Sequence, residues 1–135
     1  MGSHEDVFVG RKILIVDDDA RNIFALTAAL EKKGAAIVAA RNGKDALTKL
    51  KEDPLIDLVL MDIMMAEMDG FQTTREIRKQ KRFARLPIIA VTAKATQNDK
   101  ALCMEAGMDD YLAKPIDLHQ LFSLVRVWMP QLGRD

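Results

Sequence analysis

A single cysteine, Cys103, rules out an intramolecular disulfide, and neither a secretory signal nor an apolar run of membrane length is present. A cytoplasmic setting without direct membrane contact is therefore the expectation. Charge of one sign is missing too, since 20 Lys and Arg stand against 20 Asp and Glu. That balance leaves no global basic field to draw nucleic acid and no acidic tail, so a partner must be recognised through a local surface. There is no cluster of cysteine and histidine to suggest zinc, and no internal repeat or low-complexity segment. The 135 residues suffice for one well-formed core and are too few for two. Met1 to His4 reads as a cloning remnant and residues 5–10 as a linker, leaving 11–130 as one domain and 131–135 as a tail.

What is present begins with Leu58 to Met61, four apolar residues without helical or alternating period, followed by Asp62. Such a run suits a strand buried on both faces of a parallel sheet. Lys12 to Val16 is a second run of this kind and leads into Asp17, Asp18 and Asp19. Pro87 to Val91 is a third, reaching Thr92-Ala93; weaker strands are read at Ala35 to Ala40 and at Tyr111 to Ala113, the latter leading into Lys114-Pro115. Between them the pattern is helical. One helix runs from Ala20 to Lys33, with Asp19 as its cap and Gly34 as its stop. A second carries Ala46, Leu47 and Leu50, and a third runs from Gly70 to Lys79 with Phe71, Thr74 and Ile77 on one face. A fourth spans Thr96 to Ala106, and the last, capped near Asp117 and closed by Pro130, carries Leu121, Leu124, Val125 and Trp128. Strands alternating with helices predict an α/β doubly wound parallel sheet of order 2-1-3-4-5.

In that architecture ligands bind in the crevice beyond the carboxyl ends of the strands. The first and third strands deliver carboxylates there, the fourth a hydroxyl and the fifth an ammonium. Packed carboxylates raise one another's pKa unless a cation neutralises them. A hard divalent ion with oxygen ligands, Mg²⁺ or Mn²⁺, fits that need, and Thr92 and Lys114 then supply a donor and a positive charge for a phosphoryl group. Asp19 is left out of the metal set because the helix needs a cap at that position.

Val16-Asp17-Asp18-Asp19, Leu60-Met61-Asp62, Met68-Asp69-Gly70, Val91-Thr92-Ala93 and Lys114-Pro115, in this order and at these spacings, resemble the receiver domain of two-component response regulators. The resemblance extends from about Arg11 to Trp128 and implies a flavodoxin-like (βα)5 fold. It implies further that Asp62 accepts a phosphoryl group from the phosphohistidine of a histidine kinase or histidine phosphotransfer domain. Asp17, Asp18, Asp62 and the backbone carbonyl of Met64 would hold Mg²⁺. Lys114 would pair with the phosphoryl group, and Thr92 would move toward it while Tyr111 turns inward as the switch. A cis Lys114-Pro115 bond is implied as well. Phe8, Gly10-Arg11-Lys12, Asn22 and Thr92-Ala93-Lys94-Ala95 resemble receivers of hybrid sensor kinases. On this reading the isolated domain is no enzyme beyond its own phosphorylation and dephosphorylation. A hybrid parent would be a protein histidine kinase.

Met64 and Lys94, each two residues past a site residue, are candidates for limiting water's access to the phosphoryl group. Ile23 and Phe24 cannot both lie on the buried stripe with Leu26 and Leu30, so one of them is expected exposed near the acids. With Asn22 and Pro115 they form a candidate docking patch for the phosphotransfer partner. Either a monomer or a weak homodimer is compatible with the sequence. Ala66 departs from the family, which usually has proline there, and so frees φ and restores an amide hydrogen in the loop holding Met64. Two other functions compete: a receiver-like protein-binding module that is never phosphorylated, and an aspartate-nucleophile phosphatase. The phosphatase wants a second acid two residues after the nucleophile, where this chain has Met64.

Overall fold

The computed structural model describes residues 7–93 and 96–129. Five parallel strands form one sheet in the order β2-β1-β3-β4-β5, with β1 at Lys12–Val16, β2 at Ala36–Ala40, β3 at Leu58–Asp62, β4 at Ile88–Thr92 and β5 at Asp110–Ala113. The order follows the doubly wound pattern expected from the alternation of elements. Five α-helices join and follow the strands: α1 Ala20–Glu31, α2 Gly43–Glu52, α3 Gly70–Arg78, α4 Gln97–Ala106 and α5 Leu118–Trp128.

Successive side chains of a strand point to opposite faces, so an unbroken apolar run feeds two cores. Leu14, Val16, Val59, Met61, Ile88 and Ala90 pack with Ala46 and Leu50 of α2, Ile77 of α3 and Cys103 of α4. Ile13, Ile15, Leu58, Leu60, Ile89 and Val91 pack on the other face with Leu26 and Leu30 of α1 and Leu121 and Val125 of α5. Covering both faces removes water from about a dozen aliphatic side chains of the sheet, each worth about 1.5–3 kcal/mol when fully buried.

Helix boundaries follow local chemistry. Asp19, Asn42, Asp69, Thr96 and Asp117 each cap a helix by accepting backbone N–H groups of the first turn, and Thr96 and Asp99 form a reciprocal capping box. Gly107 ends α4 at φ +105°, a conformation that a side chain would strain.

Several expectations are corrected. Phe8, read as part of a linker, is 1% exposed: its ring meets Phe122 of α5, and its N–H donates to the Lys33 carbonyl. Val7 and Phe8 therefore belong to the packed fold. Phe71, Leu47, Leu124 and Trp128 are half-buried and pack against the core as their helical faces predict, while Thr73, not expected inside, is buried beside Thr74. A 3₁₀ turn at Lys81–Phe83 was not expected; it puts Phe83 into the core beneath a basic segment. Beside it Arg78 donates to the carbonyls of Gly107 and Phe83 and to Asp109 Oδ2, tying α3 to the β4 and β5 side of the sheet. Pro130, expected to close the last helix, lies outside the described residues.

Candidate functional site

The sheet register assembles the site. Val16 pairs with Met61, so the next residues, Asp17 and Asp62, stand side by side at the carboxyl ends of β1 and β3. Asp62 pairs with Val91 and Thr92 with Ala113, which brings the Thr92 hydroxyl and Lys114 to the same edge. The Lys114 N–H donates to the Thr92 carbonyl at 2.8 Å and fixes the lysine's backbone just past β5. The Lys114-Pro115 peptide bond is cis, as the resemblance implied.

Asp17 and Asp62 are 2% and 3% exposed, whereas Asp18 faces solvent. One carboxylate oxygen from each of the three lies within 4.8 Å of the others. Lys114 Nζ lies 3.4 Å from Asp62 Oδ1 and 3.5 Å from Asp17 Oδ2, so a single ammonium faces both buried acids. One positive charge does not balance them. Burial first, and then the neighbouring Asp17 charge, push the Asp62 carboxyl up to about 6, against the partial relief that Lys114 and the Met64 N–H provide. All the side-chain donors of this cluster are hard carboxylate oxygens, the set that Mg²⁺ prefers, and the excess negative charge is what a divalent cation relieves.

The remaining sequence candidates fall into distinct places. Thr92 is buried at the end of β4. Tyr111 is half-buried in β5, with Lys100 Nζ 4.7 Å from its ring centroid. Met64 is 55% exposed at the rim, and its N–H reaches Asp62 Oδ1 at 3.4 Å. Ala66 is exposed in the same loop and precedes Glu67, which adopts φ +64°. Lys94 lies outside the described residues. Of the α1 pair, Phe24 is the exposed member at 76%, and Ile23 packs against the core. Pro115 is exposed, but Asn22 does not sit on the surface alone: its side-chain amide donates to Asp17 Oδ2 at 3.2 Å. Asp19 serves as the α1 cap and pairs with Arg21, which lowers its carboxyl below the usual range.

The Asn22 contact is the feature that sequence reasoning missed. An asparagine three residues past a helix cap has no periodic signal pointing back to an acid at the strand end. Among the described residues no helix is long and apolar enough to cross a membrane.

Comparison with known proteins agrees with this geometry. Sensor histidine kinase GacS of Pseudomonas protegens is 42% identical over 120 residues, which is 87% of this chain and 13% of the kinase. Protein PilH of Pseudomonas aeruginosa is 40% identical over 114 residues, covering 84% of this chain and 93% of PilH. The chain thus spans a small part of the kinase and nearly all of PilH. Among solved structures, the receiver domain of sensor histidine kinase PA1611 from Pseudomonas aeruginosa superposes with a TM-score of 0.81 at 38% identity, over 89% of this chain and 98% of that one. That structure has a magnesium ion coordinated in its active site cleft. The sequence profile of the response regulator receiver domain matches residues 13–126, and with these relatives it establishes that the chain belongs to the receiver domain family of two-component signalling.

Proposed function

We propose that this receiver takes a phosphoryl group from a phosphohistidine onto Asp62. The observation that carries the reading is the buried Asp62 carboxylate between Asp17 and the Lys114 ammonium. A carboxylate oxygen of Asp62 attacks phosphorus while the P–N bond breaks, and its electron pair stays on the imidazole nitrogen, which is then protonated. The product on this chain is an acyl phosphate. With its carboxyl at about 6, Asp62 is mostly ionised at neutral pH and so available as the nucleophile. Lys114 neutralises charge on the phosphoryl oxygens, and the Thr92 hydroxyl donates to one of them.

Asp17, Asp18, Asp62 and the Met64 carbonyl would hold Mg²⁺, which when bound neutralises the acids and the phosphoryl charge. Once Asp62 is phosphorylated, Thr92 is drawn toward it and Tyr111 shifts inward, a change of population between two packings of the β4 to β5 side.

Intact-protein mass tests this directly. Incubation with acetyl phosphate and Mg²⁺ is expected to add one phosphoryl group, absent from Asp62→Asn and absent without metal. A chain that gains no phosphoryl group from acetyl phosphate or from a phosphorylated histidine partner would refute the reading and favour a pure binding module.

The partner's docking surface is assigned to the start of α1. Phe24 stands exposed there, and a groove between α1 and α5, apolar along Ala25, Ala28, Ala29, Leu118 and Phe122 and basic at Lys32 and Lys33, runs beside it. An exposed aromatic is a natural anchor for a partner. Phe24→Ala is expected to weaken binding of a histidine phosphotransfer domain about tenfold, with wild-type chemical-shift changes centred on α1. Shift changes that leave α1 untouched would refute the assignment.

A further inference from the structure

We propose that Asn22 is a positioning residue for Asp17, fixing the orientation in which that carboxylate meets a divalent cation. The inference rests on the Mg²⁺ reading given above and goes beyond it. Asp17 is buried, so both of its oxygens need partners. Its Oδ1 accepts the Asp19 backbone N–H at 2.9 Å. Its Oδ2 accepts the Asn22 amide at 3.2 Å and lies 3.5 Å from Lys114 Nζ. Donors on separate oxygens fix the plane of the carboxylate, which contact with a single oxygen does not.

The two donors on Oδ2 differ in kind. Lys114 carries a point charge on a flexible stem and is shared with Asp62 at 3.4 Å, so it is free to turn toward a phosphoryl group. Asn22 is a short side chain on the first turn of α1, where its own N–H donates to the Asp19 carbonyl at 3.1 Å. It stays on Oδ2 when the lysine leaves. Groups that orient a metal ligand from behind commonly contribute 10- to 100-fold to metal affinity.

Asn22 also gives the metal end of the site a route to the surface. With Lys114 it lines a groove of about 270 Å³ between α1 and the segment after β5, walled by Ala25, Leu26, Pro115 and Ile116. A partner side chain entering that groove meets both groups that hold Asp17 Oδ2.

The test is calorimetric titration of Mg²⁺ into the full chain. Asn22→Leu, which keeps the side chain's size and removes the donor, is expected to weaken Mg²⁺ binding about tenfold. The Mg²⁺ concentration giving half-maximal phosphorylation by acetyl phosphate is expected to rise by the same factor, while the rate at saturating Mg²⁺ stays within about twofold. A merely structural role would not separate those two quantities. Asn22→Ala is the second variant, used if the leucine variant fails to give a native circular dichroism spectrum. Mg²⁺ affinity within about twofold of wild type in the folded variant would overturn the proposal. A wild-type chain that binds no Mg²⁺ would instead overturn the metal reading on which the proposal stands.

Discussion

In magnesium-free buffer at neutral pH, Asp62→Asn is expected to unfold at a temperature higher than wild type, by about 5–10 °C. The cause is the raised carboxyl of Asp62, about 6 in the fold against an ordinary 3.8. The native state binds this proton more tightly than the unfolded chain does. Stability is therefore fully present below 3.8, falls as pH rises toward about 6, and stays low above it. A shift of this size corresponds to at most about 3 kcal/mol, and the asparagine removes it while keeping the shape of the side chain. The gap should close as the pH approaches 4, where the native carboxyl is already neutral. Adding Mg²⁺ should reverse the ranking, because the cation stabilises the ionised wild type through binding to the native state and loses a ligand in the variant. Scanning calorimetry at several pH values, with and without Mg²⁺, makes the comparison. An asparagine variant that melts at or below wild type in metal-free buffer at pH 7 would show that the acids do not strain the fold.

The same acids explain why so much of the site was legible in the sequence. A parallel sheet buried on both faces writes its central strands as unbroken apolar runs, and β1, β3 and β4 could be read from those runs alone. The polar groups gathered at the carboxyl ends are then the residues that close or follow the strands: Asp17, Asp62, Thr92 and Lys114. The edge strand β2 was fainter because its residues are mostly half-exposed and alanine-rich. Phe8 was misread because an isolated apolar residue before a strand carries no period; only the meeting of α1 and α5 decides that it is buried. The 3₁₀ turn at Lys81–Phe83 was hidden for a related reason. Its flanks are basic and exposed, and the Arg78 bonds that organise this region join residues distant in sequence. Asn22 was read as a surface residue since helical position tells which face a side chain occupies, not whether it reaches back over the helix cap.

Gly70 links the fold to the chemistry, and Gly70→Ala is expected to damage both. A Cβ at this position would press on the Asp62 carbonyl oxygen and stand 2.8 Å from Ile63 Cα. Those are backbone atoms at the end of β3, so no side-chain rotation makes room. The close approach is built in, because the Gly70 N–H donates to the Ile63 carbonyl at 2.9 Å and α3 starts directly against the strand end. An added methyl must move α3 outward or displace the segment that carries Asp62. The expected cost is about 3 kcal/mol in urea unfolding, at the upper end for an overpacked site. Phosphorylation by acetyl phosphate should also slow by tenfold or more, since about 1 Å of misplacement at a reacting group can cost on the order of a hundredfold. Gly43→Ala is the natural comparison. Its nearest contacts would be side-chain atoms, Thr73 Oγ1 and the Met68 thioether, and not the backbone that carries Asp62, so a smaller loss of phosphorylation rate is expected there. If Gly70→Ala unfolds within about 1 kcal/mol of wild type and is phosphorylated at the same rate, the contact between α3 and the end of β3 is looser than its geometry implies. Asp62 would then owe its position to the strand alone.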